Sequence, residues 1–288
     1  MDKTPRQIRT LAALLLLTLL CMSQGCGKSN SFPLDNEGSS IYEITTPAEE
    51  MDNNSGNGNN DQSGDHQHIK ESSEPVTQER IVVLDPGHAS IRTTDQEPVG
   101  PGSSTMKNSS VIGTRGVSTG KYEYELVLDV CLQLRTELES RGYTVILTRE
   151  DSSQALSNIQ RANVANAANA DVFLRIHADG STSSDDMGAS SICISRENPF
   201  VSEYYERSRI LSECLLTSYC EETGMFNNGV HERDDMTGNN WSNMVSCLFE
   251  LGYMTNPNDD VNLCDPAFQI KMILGIANGL DRYFKTSV

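Results

Sequence analysis

Three histidines, His88, His177 and His231, fall beyond residue 79 of a 288-residue chain that holds five in all. His88 follows a short apolar run and a Pro-Gly turn in RIVVLDPGHAS. His177 follows a second run in DVFLRIHADG, and a third, MVSCLFELGYMTNPND, leads to Glu250. A neutral imidazole can ligate a metal; a carboxylate can ligate one or move a proton. A single histidine at a strand end is ordinarily incidental. Two of them with a carboxylate at a third equivalent place are not, because sites in open α/β sheets form beyond the carboxyl ends of the strands. Catalytic zinc commonly takes three His or Asp/Glu ligands and keeps one position for water. Glu123 and Glu125 compete for the third place. At about 100° per residue, Glu123 shares a face with Val127 and Cys131, and Glu125 points away toward solvent. Carboxylates are also favoured in a first helical turn, so plain capping by Glu123 stays open.

Strand-like runs at 81–84, 144–147, 172–176, 190–194 and 245–249 position these groups. Helical patterns lie between them. Residues 123–140 carry an apolar stripe at Val127, Cys131, Leu134 and Leu138, and Gly142 ends that helix. Residues 155–170 are alanine-rich, residues 202–222 stop before Gly224, and Asp265-Pro266 opens a last helix to about Tyr283. The alternation predicts an α/β fold: one three-layer domain over 80–288, with a mixed, mostly parallel sheet and helices on both faces. Segment 100–120, rich in Gly, Ser and Thr, is longer than most connections and so is expected to be functional or mobile. Its GVSTGKY resembles a phosphate loop but fails the spacing. Three residues separate Gly116 from Gly120, and Tyr122 follows Lys121 where Ser or Thr belongs.

The N-terminus reads as an export signal over 1–26. Lys3, Arg6 and Arg9 precede an apolar stretch from Leu11 to Leu20, too short for an ordinary membrane span. Ser23-Gln24-Gly25-Cys26 is compatible with lipidation at Cys26; simple cleavage or an uncleaved anchor are the alternatives. Residues 27–79 form an acidic linker with eleven acidic and two basic residues, half of the net charge of −18. Such a segment has too little to bury and is expected to stay disordered, with His66 and His68 solvated in it. Its acidity argues against nucleic acid or anionic headgroups as partners, so membrane contact would come only through the N-terminal lipid or anchor. The six cysteines beyond the linker are widely spaced without a CxxC, and Cys131 and Cys247 suit small buried hydrophobes.

VLDPGH, YEYELVLDVCLQLRTELESRGYTVILTR, LRIHAD and FELGYMTNPND, in this order, resemble the zinc-dependent N-acetylmuramoyl-L-alanine amidases of bacterial cell-wall turnover. The resemblance spans residues 80–284. It implies an enzyme that hydrolyses the amide between N-acetylmuramic acid and L-alanine in peptidoglycan; the sequence leaves the oligomeric state open, with a monomer expected. It also implies one Zn²⁺ held by His88, Glu123 and His177, with Glu250 as the acid-base residue. Ala89-Ser90 stands where many members carry two glycines, Asp179 where Asn is frequent, and Tyr253 where Phe is. Within this scheme Asp85 either orients His88 or is a turn aspartate. Arg149 and Asp179 either meet substrate or form a structural ion pair. Asp234, Asp235, Asn240 and Trp241 are candidates for a glycan groove, His231 is a surface residue, and Asn256-Pro257 shape the turn after Glu250. The alternatives are a zinc peptidase acting on another exported substrate and a non-catalytic wall-binding module. Glu250 discriminates against the latter, which needs no carboxylate there.

Overall fold

The computed structural model describes residues 79–286. The export segment, Cys26, His66, His68 and the acidic linker up to residue 78 lie outside the described residues.

Six strands form one sheet: β1 (Ile81–Pro86), β4 (Thr144–Leu147), β5 (Val172–Asp179), β6 (Ala189–Cys193), β7 (Asn227–Glu232) and β8 (Val245–Tyr253). Their order is β4-β1-β5-β8-β6-β7. β4, β1, β5 and β8 run parallel, β6 is antiparallel to β8, and β7 follows β6. A separate two-stranded hairpin joins β2 (Gln96–Pro98) to β3 (Met106–Asn108). The helices are α1 (Glu123–Ser140), α2 (Asn158–Ala167), α3 (Tyr205–Thr223), α4 (Thr237–Asn240), α5 (Pro257–Cys264) and α6 (Pro266–Thr286).

The two faces of the sheet are unequal. Strand side chains alternate, so Val82, Leu84, Leu174, Ile176, Cys247 and Phe249 point one way, into a large core with α1, α3 and α6. Val83 and Phe173 point the other way, into a smaller core with Ala162 and Ala165 of α2. Farther along that second face the register sets Asp85 beside Arg175 and His177 beside Glu250. The same alternation that seats Val83 and Phe173 therefore delivers four ionisable groups to one patch of sheet.

Local chemistry sets most helix starts. The Ser157 hydroxyl accepts from Gln160 N at 3.2 Å and caps α2, which starts three residues later than its alanine content suggests. Asn256 Oδ1 accepts from Asn258 N and Asp259 N and starts α5 at Pro257, the turn role expected of Asn256-Pro257. Asp265 Oδ1 accepts from Ala267 N at 2.7 Å at the head of α6. The sequence pattern missed β7, because NNGVHE is an exposed polar edge strand without alternation. All six domain cysteines are free, with Cys131, Cys193, Cys214 and Cys247 buried. Among the described residues no helix is long and apolar enough to cross a membrane.

Candidate metal centre

β1 and β5 deliver their histidines side by side, and α1 brings a carboxylate over them. Gly87 N donates to Ile176 O at 2.9 Å, which ties the end of β1 to β5. His88 then adopts a left-handed φ of 59° and turns its ring across the sheet edge. A Cβ on Gly87 would sit 2.3 Å from His177 Cε1, so only glycine lets the two residues lie this close. Glu123, 4% exposed, opens α1 and faces inward. Glu125 does not simply point to solvent as the helical angle suggested. Its carboxylate accepts from Tyr122 N at 3.0 Å, so the capping role left open for Glu123 falls to Glu125.

His88 Nε2, His177 Nδ1 and Glu123 Oε1 converge. The nitrogens lie 3.1 and 3.0 Å from the carboxylate oxygen and 3.2 Å from each other. Ligand atoms around tetrahedral zinc are about 3.3 Å apart for bonds of about 2.0–2.1 Å, so the spacing suits one small cation. The protonation pattern suits it too. His88 Nδ1 lies 3.0 Å from Val111 O, which can only accept, so this nitrogen carries the proton and Nε2 presents a lone pair. Burial holds the His177 imidazole down to about 4, which keeps it neutral at physiological pH. Burial alone would raise the Glu123 carboxyl, but His88 and His177 outweigh it and hold it well below the usual carboxylate range. Two neutral imidazoles and an anion thus aim lone pairs at one point. Glu123 Oε2 is engaged elsewhere, accepting from Thr114 N at 2.9 Å.

Glu250 lies across from His177 on β8, which continues past it to Tyr253. The residue is open in part to the cleft, yet its Oε2 is buried and has no hydrogen-bond partner among the described residues. Burial and the Glu123 and Asp179 carboxylates push its carboxyl well above the ordinary value. The cleft, about 440 Å³, is lined by His88, Glu123, His177, Asp179, Thr182 and Glu250 among others. Asp179 is likewise raised by its burial and accepts from Gly180 N at 2.7 Å.

Behind the histidines lies a buried charge network that differs from the expected support. Asp85, fully buried, does not touch the His88 ring. It accepts from Thr148 Oγ1 at 2.6 Å, Arg161 NH1 at 2.7 Å and Arg175 Nε at 2.9 Å. Burial would raise its carboxyl, and the two guanidiniums reverse that and hold it low. Arg161 also donates to Pro86 O at 2.6 Å and His88 O at 2.7 Å. Arg149, 1% exposed, donates to Pro86 O, Gly87 O and Tyr124 O, so it reaches neither substrate nor a carboxylate. Arg149 and Arg161 therefore hold the Pro86-Gly87-His88 turn by its carbonyls, and Asp85 ties Arg161 to Arg175 behind it. The sequence signal for Arg175 was available: Asp85 and Arg175 are charged residues set on the buried face of apolar strands.

Segment 113–120 forms the opposite wall. Gly113, with φ 85°, would place a Cβ 2.4 Å from Glu123 Oε2. The turn from Gly116 to Gly120 does cradle an anion, but an internal one: Asp260 accepts from Ser118 N at 2.6 Å, Thr119 N at 2.8 Å and Thr119 Oγ1 at 2.7 Å. Its neighbour Asp259 accepts from Gly188 N and Tyr253 N. The consecutive acids of α5 thus anchor the turn at 118–119 on one side and Gly188 and Tyr253 on the other. The four residues expected to line a glycan groove have other partners. Asp234 accepts from Ser195 and Asn198, Asp235 pairs with Lys107, and Asn240 and Trp241 donate to Val99 O and Pro98 O. His231 is exposed on β7, away from the cleft.

Known proteins agree with this architecture. The sequence model of the family described as N-acetylmuramoyl-L-alanine amidase matches residues 82–282. The N-acetylmuramoyl-L-alanine amidase Rv3717 of Mycobacterium tuberculosis is 29% identical over 189 residues, 62% of this chain and 76% of that protein. The crystal structure of the amidase Ami1 from Mycobacterium smegmatis superposes with a TM-score of 0.65 at 25% identity, covering 72% of this chain and 97% of that one. The catalytic domain of the amidase CwlV from Bacillus (Paenibacillus) polymyxa gives 0.57 at 26% identity, covering 72% and 98%. With this match over most of its length and a shared fold, the chain belongs to the N-acetylmuramoyl-L-alanine amidase family and is a hydrolase of that class.

Proposed function

We propose that this enzyme cleaves the amide between the lactyl group of N-acetylmuramic acid and the L-alanine of the stem peptide. In this reading one Zn²⁺ is held by His88 Nε2, Glu123 Oε1 and His177 Nδ1, and Glu250 is the acid-base residue. The convergence of three lone-pair donors beside a buried carboxylate without a partner carries the reading. When bound, the ion supplies a Lewis acid that polarises the carbonyl and acidifies water. Val111 O keeps the proton on His88 Nδ1, and Thr114 N restrains the far oxygen of Glu123. Both fix the orientation of a donor before substrate arrives. Glu250 takes the proton of the attacking water and delivers it to the alanine nitrogen, which leaves poorly unless protonated. Its raised affinity for a proton suits the second half of that task.

The same reading places the enzyme outside the cytoplasm, where peptidoglycan lies. On this reading residues 1–26 are an export signal that ends in lipidation at Cys26, in simple cleavage or in an uncleaved anchor, 27–79 are an acidic linker and 80–288 are the catalytic domain. Mass spectrometry of digested, purified peptidoglycan tests the reaction. Stem peptides with a free L-alanine amino terminus are expected; cuts confined to other peptide bonds would instead favour a peptidase, and binding without cleavage a wall-binding module. Metal analysis of His88→Ala and His177→Ala tests the ligand set, and full zinc in both would refute it.

A further inference from the structure

Among the described residues one hollow is larger than the cleft. A trough of about 560 Å³ lies between the β2–β3 hairpin and the start of α2. One small hollow separates it from the cleft. Ser109 and Ser110 line both the trough and a hollow of about 50 Å³, and that hollow is lined in turn by His88 and His177. One residue beyond Ser110, Val111 O holds His88 Nδ1. The trough thus lies beside the segment that supports a candidate metal ligand.

Hydrogen bonds brace the walls of the trough. Trp241 Nε1 donates to Pro98 O at 3.1 Å, and Ser109 N to Asp95 O at 2.9 Å. Glu97 caps α2 through Asn158 N at 3.0 Å and Ile159 N at 3.1 Å. Such a preformed hollow is the ordinary form of a ligand site. Its chemistry selects the ligand. Thr93, Gln96, Ser157 and Gln160 offer hydroxyls and amides, and Pro98 and Ile159 offer apolar surface. Among the described residues that line it, Asp95 and Glu97 are the ionisable ones and none is a lysine or arginine. A stem peptide, with its free carboxylates, would meet repulsion and no counter-charge there. Uncharged N-acetylated sugars match it, with hydroxyls and acetamides for the polar groups and ring faces for the apolar ones.

We propose that this trough is a glycan subsite that seats the sugars next to the muramoyl residue under attack, so that the enzyme reads the strand as well as the amide. The proposal rests on the amidase reading. The muramoyl sugar then lies on the Ser110 side of the metal centre, and the peptide leaves past Thr114, Thr182 and Thr255.

Two measurements test it. Calorimetry with a tetrasaccharide of N-acetylglucosamine alone, which carries no carboxylate, reads the trough without catalysis. Wild type is expected to bind it, and Gln96→Trp, which fills the trough from an exposed position, to lose binding by about tenfold or more. An unchanged thermal midpoint shows that the variant is folded. Hydrolysis is then compared as the ratio of kcat/KM for four-sugar over one-sugar muramoyl peptides, expected to be high in wild type and to fall toward one in Gln96→Trp. No tetrasaccharide binding, binding unaffected by Gln96→Trp, or displacement of the sugar from the trough by free stem peptide would each overturn the proposal. Tetrasaccharide binding lost in Gln96→Trp, with no amide cleavage by wild type, would support the trough and refute the amidase reading.

Discussion

Replacing Arg161 with lysine keeps a positive charge and removes the fork. The guanidinium serves Asp85, Pro86 O, His88 O and Leu156 O from one planar group. An ammonium, a single point charge, can stay with Asp85 but cannot span the two turn carbonyls as well. Pro86 O keeps Arg149 Nε, so His88 O and Leu156 O are the acceptors left without a donor; at about 1–2 kcal/mol each when water replaces it in part, they cost ~2–4 kcal/mol. His88 already holds a left-handed φ of 59°; without Arg161 on its carbonyl, its ring loses a fixed direction. Loss of such outer contacts typically weakens metal binding by about 10–100-fold. Urea unfolding of the metal-free protein reads the first effect, and zinc competition with a chelator reads the second. If Arg161→Lys lost stability as expected while zinc affinity stayed at the wild-type level, the turn would not be what positions His88.

Three further outcomes follow from the same geometry. Gly113→Ala forces a left-handed alanine, at about 1–2 kcal/mol, and drives its Cβ toward Glu123 Oε2; zinc content after dialysis should fall, and retained metal would argue against that close approach. The Glu250 carboxyl is raised in the folded state, so the unfolded chain gives up its proton first as pH rises and the folded state loses stability above the unfolded value of 4.5. Metal-free Glu250→Gln should therefore be more stable than wild type at pH 8 in urea titrations, with the gap closing toward pH 4.5; a gap that does not change with pH would contradict the burial of that charge. Asp260→Asn weakens the charged bonds that fix the wall at 118–119, and hydrogen exchange at those amides should quicken by about 10–100-fold.

The chemistry of the site was legible where it coincided with strand ends. VLDPGH and LRIHAD place histidines near the ends of neighbouring strands because each run is largely apolar up to its histidine, although β5 continues past His177 to Asp179. Glu123 was legible as inward-facing from the helical period alone. The support was harder to see. Asp85 and Arg161 are 76 residues apart, and no local pattern announces that a helical arginine reaches back to a turn carbonyl. GVSTGKY showed the wish of its backbone amides for an anion, but not that Asp260 supplies it from 141 residues away. The hairpin escaped because each of its strands has three residues, too few to show a period. Its partners, Asn240 and Trp241, were therefore assigned to a groove when they hold the hairpin to α4.

The central claim is that Glu250 moves the proton in a reaction whose metal is held without it. The most direct measurement is release of stem peptides from purified peptidoglycan by wild type and Glu250→Gln, each assayed for bound zinc. The account predicts equal zinc in both and release slowed by about 10²–10⁴-fold in the variant. Equal release by the two proteins would contradict it.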